Sequence, residues 1–113
     1  MAKFECALKG DFEDLLDSLH EEITEASATA SYEDGSMLDL GNVKVAVRVY
    51  ERYSMVGSNR VSMNITVVEK GNSLYLTAIT SGGSQALFYK VNTFGEESFL
   101  KSCVKAVEKY IDQ

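Results

Sequence analysis

The stretch Val43-Lys44-Val45-Ala46-Val47-Arg48-Val49-Tyr50-Glu51-Arg52-Tyr53-Ser54 decides the fold class. Valine at every second position is the two-residue period of a pleated strand packed on one side. The alternation predicts a strand from Val43 to about residue 55, with Val43, Val45, Val47 and Val49 turned to the core. It slips at Glu51, which would fall on the apolar face, so a β-bulge is expected near 50–53. Gly57-Ser58-Asn59 then reads as a hairpin loop.

Working outward, Val61, Met63, Ile65 and Val67 alternate with Ser62, Asn64 and Thr66, which predicts a second strand. Lys70-Gly71-Asn72 turns the chain into a third, where Leu74, Leu76 and Ala78 oppose Tyr75, Thr77 and Ile79. After the Gly-rich connection 80–85, Leu87, Tyr89 and Val91 predict a strand over 86–92. On the N-terminal side, Gly41-Asn42 is a turn signal. Residues 28–33 alternate and suggest a short strand, followed by the hairpin signal Asp34-Gly35, with Met37, Leu38 and Leu40 in a loop over a core edge. Residues 3–9 alternate as a further strand.

Two helices complete the pattern. Asp11 is a suitable N-cap, and Phe12, Leu15, Leu16, Leu19 and Ile23 recur at helical spacing, so a helix is predicted over 11–26. Glu13, Asp17, Glu21 and Glu25 form its acidic outer face. Phe99, Leu100, Cys103, Val104, Val107, Tyr110 and Ile111 predict a second helix over 96–111, with Glu96 and Glu97 at its N-terminus. The order β-α-β-β-β-β-β-α with short connections implies an α+β two-layer sandwich. Its antiparallel sheet of five to six strands would carry two helices on one face, as a single domain over residues 1–113.

The composition excludes several kinds of function. The chain has 113 residues, a net charge of −6, one His, two Cys and no Trp. No apolar run approaches the roughly 20 residues needed to cross a bilayer, and Met1-Ala2-Lys3-Phe4-Glu5 is unlike a secretory leader. A cytoplasmic protein is therefore expected, with Cys6 and Cys103 as free, core-facing thiols. Cys6, His20 and Cys103 lack metal-site spacing, so neither a metal nor a cofactor is expected. His20 falls on the exposed flank of the first helix with no nucleophile near it, which argues against an enzyme.

The charge is unevenly distributed. Residues 1–42 hold two lysines against eleven acids, whereas residues 43–92 hold six basic groups against Glu51 and Glu69. The predicted strand phases turn Lys44, Arg48, Tyr50, Ser62, Asn64, Thr66, Val68, Tyr75, Thr77, Ile79, Phe88 and Lys90 away from the helices. On that face Tyr50, Tyr75, Ile79 and Phe88 would make an apolar patch suited to a homodimer or interaction interface; otherwise they pair across strands on a wet face. The alternative is a small anionic ligand held by Arg48, Arg52 and Arg60, with backbone donors from Ser81, Gly82, Gly83 and Ser84. That loop lacks the lysine and following helix of a phosphate loop, and the arginines equally suit cross-strand ion pairs. Membrane and nucleic-acid partners are not expected, since six basic residues fall short of a dense basic stripe.

Val47–Ser54, the run Ala78-Ile79-Thr80-Ser81-Gly82-Gly83-Ser84-Gln85-Ala86 and the segment Asn92-Thr93-Phe94-Gly95-Glu96-Glu97 resemble a family of small uncharacterised bacterial proteins, found mainly in Gram-positive anaerobes. The resemblance covers essentially the whole chain. It implies a bacterial cytosolic origin and brings no activity, cofactor or catalytic residue with it.

Overall fold

A strand hairpin forms where two alternating runs can bury one face together, and the largest hairpin here organises the molecule. The computed structural model describes residues 1–54, 59–82 and 89–111. Its elements are β1 (Ala2–Leu8), α1 (Phe12–Glu25), β2 (Ser31–Asp39), β3 (Val43–Ser54), β4 (Asn59–Lys70), β5 (Ser73–Gly82) and α2 (Tyr89–Val107), followed by a 3-10 turn at Glu108–Tyr110. The five strands form one antiparallel sheet in the order β1-β5-β4-β3-β2. The two helices pack on one side, giving the expected α+β architecture.

β3 and β4 pair without interruption from Val43↔Lys70 to Ser54↔Asn59. Directly opposed residues share a face, so β4 fixes the phase of β3. Val61, Met63, Ile65 and Val67 are buried beneath the helices. Their partners Arg52, Tyr50, Arg48 and Ala46 therefore face the helices too, and Val43, Val45, Val47 and Val49 face outward. This corrects the sequence reading of β3. Tyr50, expected on the open face, is fully buried at 0% exposure. The expected bulge is also displaced: β3 is regular, and the irregularity lies in β2 between Tyr32 and Asp34, opposite Tyr50 and Val49.

Three other expectations change. β2 runs straight through Asp34-Gly35 instead of turning there, and Met37, Leu38 and Leu40 are exposed rather than covering the core. The chain turns at Gly41, where φ is +94° and Leu40 N–H donates to the Val43 carbonyl at 2.8 Å. Thr80, Ser81 and Gly82 belong to β5 rather than to a loop. Finally, the expected strand over 86–92 is replaced across 89–92 by the start of α2. β5 already has β4 on one edge and β1 on the other, so the sheet offers no place beside it for another strand. Residues 86–88, with Phe88, lie outside the described residues.

Helix α1 forms as the sequence predicts. Asp11 caps it by accepting the Asp14 N–H at 2.9 Å, and Phe12, Leu15, Leu16, Leu19 and Ile23 are all buried. α2 lies against α1 and over β1, β5 and β4, contributing Phe99, Cys103, Ala106 and Val107 to the same core. Glu96 sits mid-helix rather than at the N-terminus; it is buried and pairs with the Met1 amine at 2.9 Å. No described helix is long and apolar enough to cross a membrane.

Candidate functional site

Among the described residues, one broad sheet face has no covering layer. Leu38, Val45, Val68, Tyr75 and Ala7 form a row across all five strands, as successive partners in register. The next row is Ser36, Val47, Thr66, Thr77 and Glu5, and the third is Asp34, Val49, Asn64, Ile79 and Lys3. Tyr75 is 46% exposed and Ile79 is 38% exposed, so both expected interface residues lie on this face. The valines of β3 and Val68 join them there, half-buried only by their neighbours.

Charge on this face is largely balanced. Arg60 pairs with Glu51 and lies 3.9 Å from Glu33, while Lys3 lies 3.7 Å from Glu5. The guanidinium of Arg60 also stands 5.7 Å from the Tyr53 ring centre. Ser62 and Ser81 share a hydroxyl hydrogen bond of 3.0 Å across β4 and β5.

The structure does not gather the expected anion-binding set. Arg60 is on the open face, whereas Arg48 and Arg52 are on the helix face. Arg52 donates to Ser98 Oγ at 2.8 Å and stacks 4.8 Å from the Phe99 ring centre. Its Nε is buried without a partner among the described residues, and burial lowers its pKa. Ser81 and Gly82 end β5 and face a strand neighbour each. Gly83 and Ser84 lie outside the described residues.

A second feature escaped the sequence reading. Where α1 meets β2 and β3, a cleft of about 660 Å³ is lined by Asp17, His20, Glu21, Thr24, Glu25, Tyr32 and Arg48. At its floor the Tyr50 hydroxyl lies 3.0 Å from His20 Nδ1 and accepts from Arg48 Nη1 at 3.5 Å. Arg48 Nη1 also donates to the Leu16 carbonyl at 3.3 Å. The hydroxyl can donate to Nδ1 or accept from it, according to the imidazole tautomer. Burial pushes the Tyr50 hydroxyl above its usual pKa, and Arg48 offsets only part of that rise. The rings of Tyr32, Tyr50 and His20 meet edge-on or tilted, with centres 5.6 to 6.0 Å apart.

Gly35 makes room for this cluster. A Cβ there would stand 2.5 Å from the Tyr32 hydroxyl and 2.7 Å from the Val47 carbonyl oxygen. The bulge explains the juxtaposition, because the extra residue Glu33 lets Tyr32 and Gly35 both face the helices. Hairpin parity was the signal available for Tyr50: once β4 is phased, each odd residue of β4 opposes an even residue of β3.

Neither cysteine is placed for chemistry. Cys103 is fully buried and its pKa is pushed up to about 12 by burial, while the half-buried Cys6 is also raised. Both readings as core-facing thiols agree with their places in and against the core. Among the described residues, no group of three or more His, Cys, Asp or Glu side chains is placed to hold a metal.

A family model matches residues 1–111, nearly the full chain. The protein belongs to DUF6054, a family of unknown function. No curated protein matches the sequence.

Proposed function

We propose that the protein is a non-enzymatic interaction module that pairs with a second copy of itself through the open sheet face. The observation that carries this reading is the uncovered apolar row Leu38–Val45–Val68–Tyr75, flanked by Val43, Val47, Val49 and Ile79. A solvated antiparallel face should be mainly polar, and β3 presents four valines there instead.

Size and charge both suit a second copy. Five strands of about ten residues cover about 24 Å by 33 Å, or roughly 800 Å², which is the usual contribution of one partner to a stable interface. The ion pairs Glu51–Arg60 and Lys3–Glu5 neutralise much of the face internally. Apposing two such faces therefore avoids the repulsion that two copies of acidic α1 would meet.

Light scattering coupled to size exclusion tests the reading. A mass twice the 12.5 kDa chain at micromolar concentration is expected, falling to one chain mass in Val45→Lys/Val47→Lys with unchanged circular dichroism. A wild-type monomer throughout that range overturns it.

A further inference from the structure

The opposite boundary of the molecule, edge strand β2, carries a different set of features. β2 is last in the sheet order, so one of its backbone edges has no strand partner among the described residues. Eight of its nine residues are exposed, and α1 meets it at Tyr32 through the His20 ring. Edges of this kind are usually blunted by lysine, proline, a bulge or a covering element. Ser31–Asp39 contains no lysine, arginine or proline. Its bulge is confined to Tyr32/Asp34, and the Asp34 carboxylate occupies the Gly35 N–H at 2.8 Å. The half from Ser36 to Asp39 stays regular against Val47, Ala46, Val45 and Lys44.

The cleft adjoins the Tyr32 end of this strand on its helix side, and its far wall is negative. Asp17, Glu21 and Glu25 repeat every four residues on α1, which sets them on one stripe. None is in an ion pair among the described residues. Arg48, the cation of the lining, is drawn to the floor by the Leu16 carbonyl and Tyr50. β2 adds Asp39 on the helix face, whereas Asp34 lies on the open face. A second copy of β2 fits poorly here, because antiparallel edge pairing keeps both helix layers on one side and turns the acidic stripe of one α1 toward that of the other.

We infer that β2 accepts an extended peptide segment with alternating basic and apolar side chains, added as a sixth strand beside Ser36–Asp39. Main-chain hydrogen bonds to the free edge supply sequence-independent affinity. Side chains at alternate positions then point to the two sides of the sheet. The basic set enters the cleft toward Asp17, Glu21 and Glu25, and the apolar set extends the open face beside Leu38. This surface borders the proposed dimer contact at Leu38 but uses the backbone edge of β2 and the acidic wall, neither of which the dimer contact uses.

Fluorescence anisotropy of a labelled peptide of four Lys-Val repeats tests the inference. Binding is expected to weaken at least tenfold in Glu21→Lys/Glu25→Lys, whose exposed sites leave the fold intact by circular dichroism. It should weaken similarly when two peptide valines become proline at unchanged charge, and when Glu replaces Lys. Amide exchange should slow at residues 36–39 in the complex. Equal binding of the proline peptide, or protection elsewhere only, shows plain charge attraction and overturns strand addition. No binding of the Lys-Val peptide overturns the inference outright. Val45→Lys/Val47→Lys separates the two proposals, because it removes self-association and leaves the edge backbone and the acidic wall in place.

Discussion

β3 and β4 are both twelve residues long and paired residue for residue, yet they bury opposite kinds of side chain. β4 turns its aliphatic residues inward and its Ser, Asn and Thr outward. β3 turns Tyr50, Arg48 and Arg52 inward and its valines outward. The difference lies in what covers each strand. α2 lies over β4 and β5, where a dry aliphatic layer fills the space. The interior face of β3 is closed by a tyrosine ring and arginine stems, with Arg48 reaching Leu16 of α1 and Arg52 reaching Ser98 of α2. Periodic valine thus marks a face of a strand without saying which layer lies against it.

The largest effect should separate the two strands most clearly. Ile65→Ala, in the dry layer of β4, is expected to cost about 2–5 kcal/mol, whereas Val47→Ala on the outer face of β3 should cost below about 1 kcal/mol. Urea unfolding at constant m-value checks this, and comparable losses would contradict the assigned phase. Next comes Gly35→Ala. Its Cβ meets the Val47 carbonyl, which cannot rotate away, so about 1–3 kcal/mol is expected, together with loss of the Tyr32–Tyr50 ring contact in nuclear Overhauser spectra.

The smallest effect at neutral pH is Tyr50→Phe. It keeps the ring and removes the hydroxyl that links His20 to Arg48, for about 1 kcal/mol. The same variant sharpens the comparison at alkaline pH. The Tyr50 pKa is raised in the folded state above its ordinary value of 10.0, so the folded form holds its proton longer than the unfolded form. That contribution is complete below about pH 10 and is lost as pH rises through the raised value. Cys103 acts in the same direction between its ordinary 9.0 and about 12. Denaturation midpoints between pH 8 and 11 should therefore fall in the wild type and fall less in Tyr50→Phe.

Elements that bury one continuous apolar stripe were legible in the sequence. The five buried residues of α1, the inward set of β4 and the Phe99–Cys103–Val107 stripe of α2 all follow from period alone. β3 was misphased because Lys44, Arg48 and Arg52 look like surface residues, although long stems can line an interior while their heads find partners. β2 was cut short because Asp34-Gly35 has the composition of a turn, and only the pairing with β3 reveals a bulge there. Of the candidate site residues, Tyr75 and Ile79 lie together on the open face. The His20–Tyr50–Arg48 cluster joins three elements through contacts that no local spacing encodes.

The bulge at Tyr32/Asp34 makes Glu33 a parity residue for the edge strand. One position upstream of Ser36–Asp39 decides whether Tyr32 looks toward the helices or toward open water, while the pairing downstream stays fixed by the turn at Gly41. Closing the bulge by pairing Glu33 with Tyr50 would turn Tyr32 out of the aromatic cluster and uncover Gly35, whereas deleting Glu33 would leave Tyr32 opposite Tyr50; either way the accessible half of β2 keeps its register. The bulge is thus the point at which one wall of the cleft can be remodelled while the pairing of the sheet is kept.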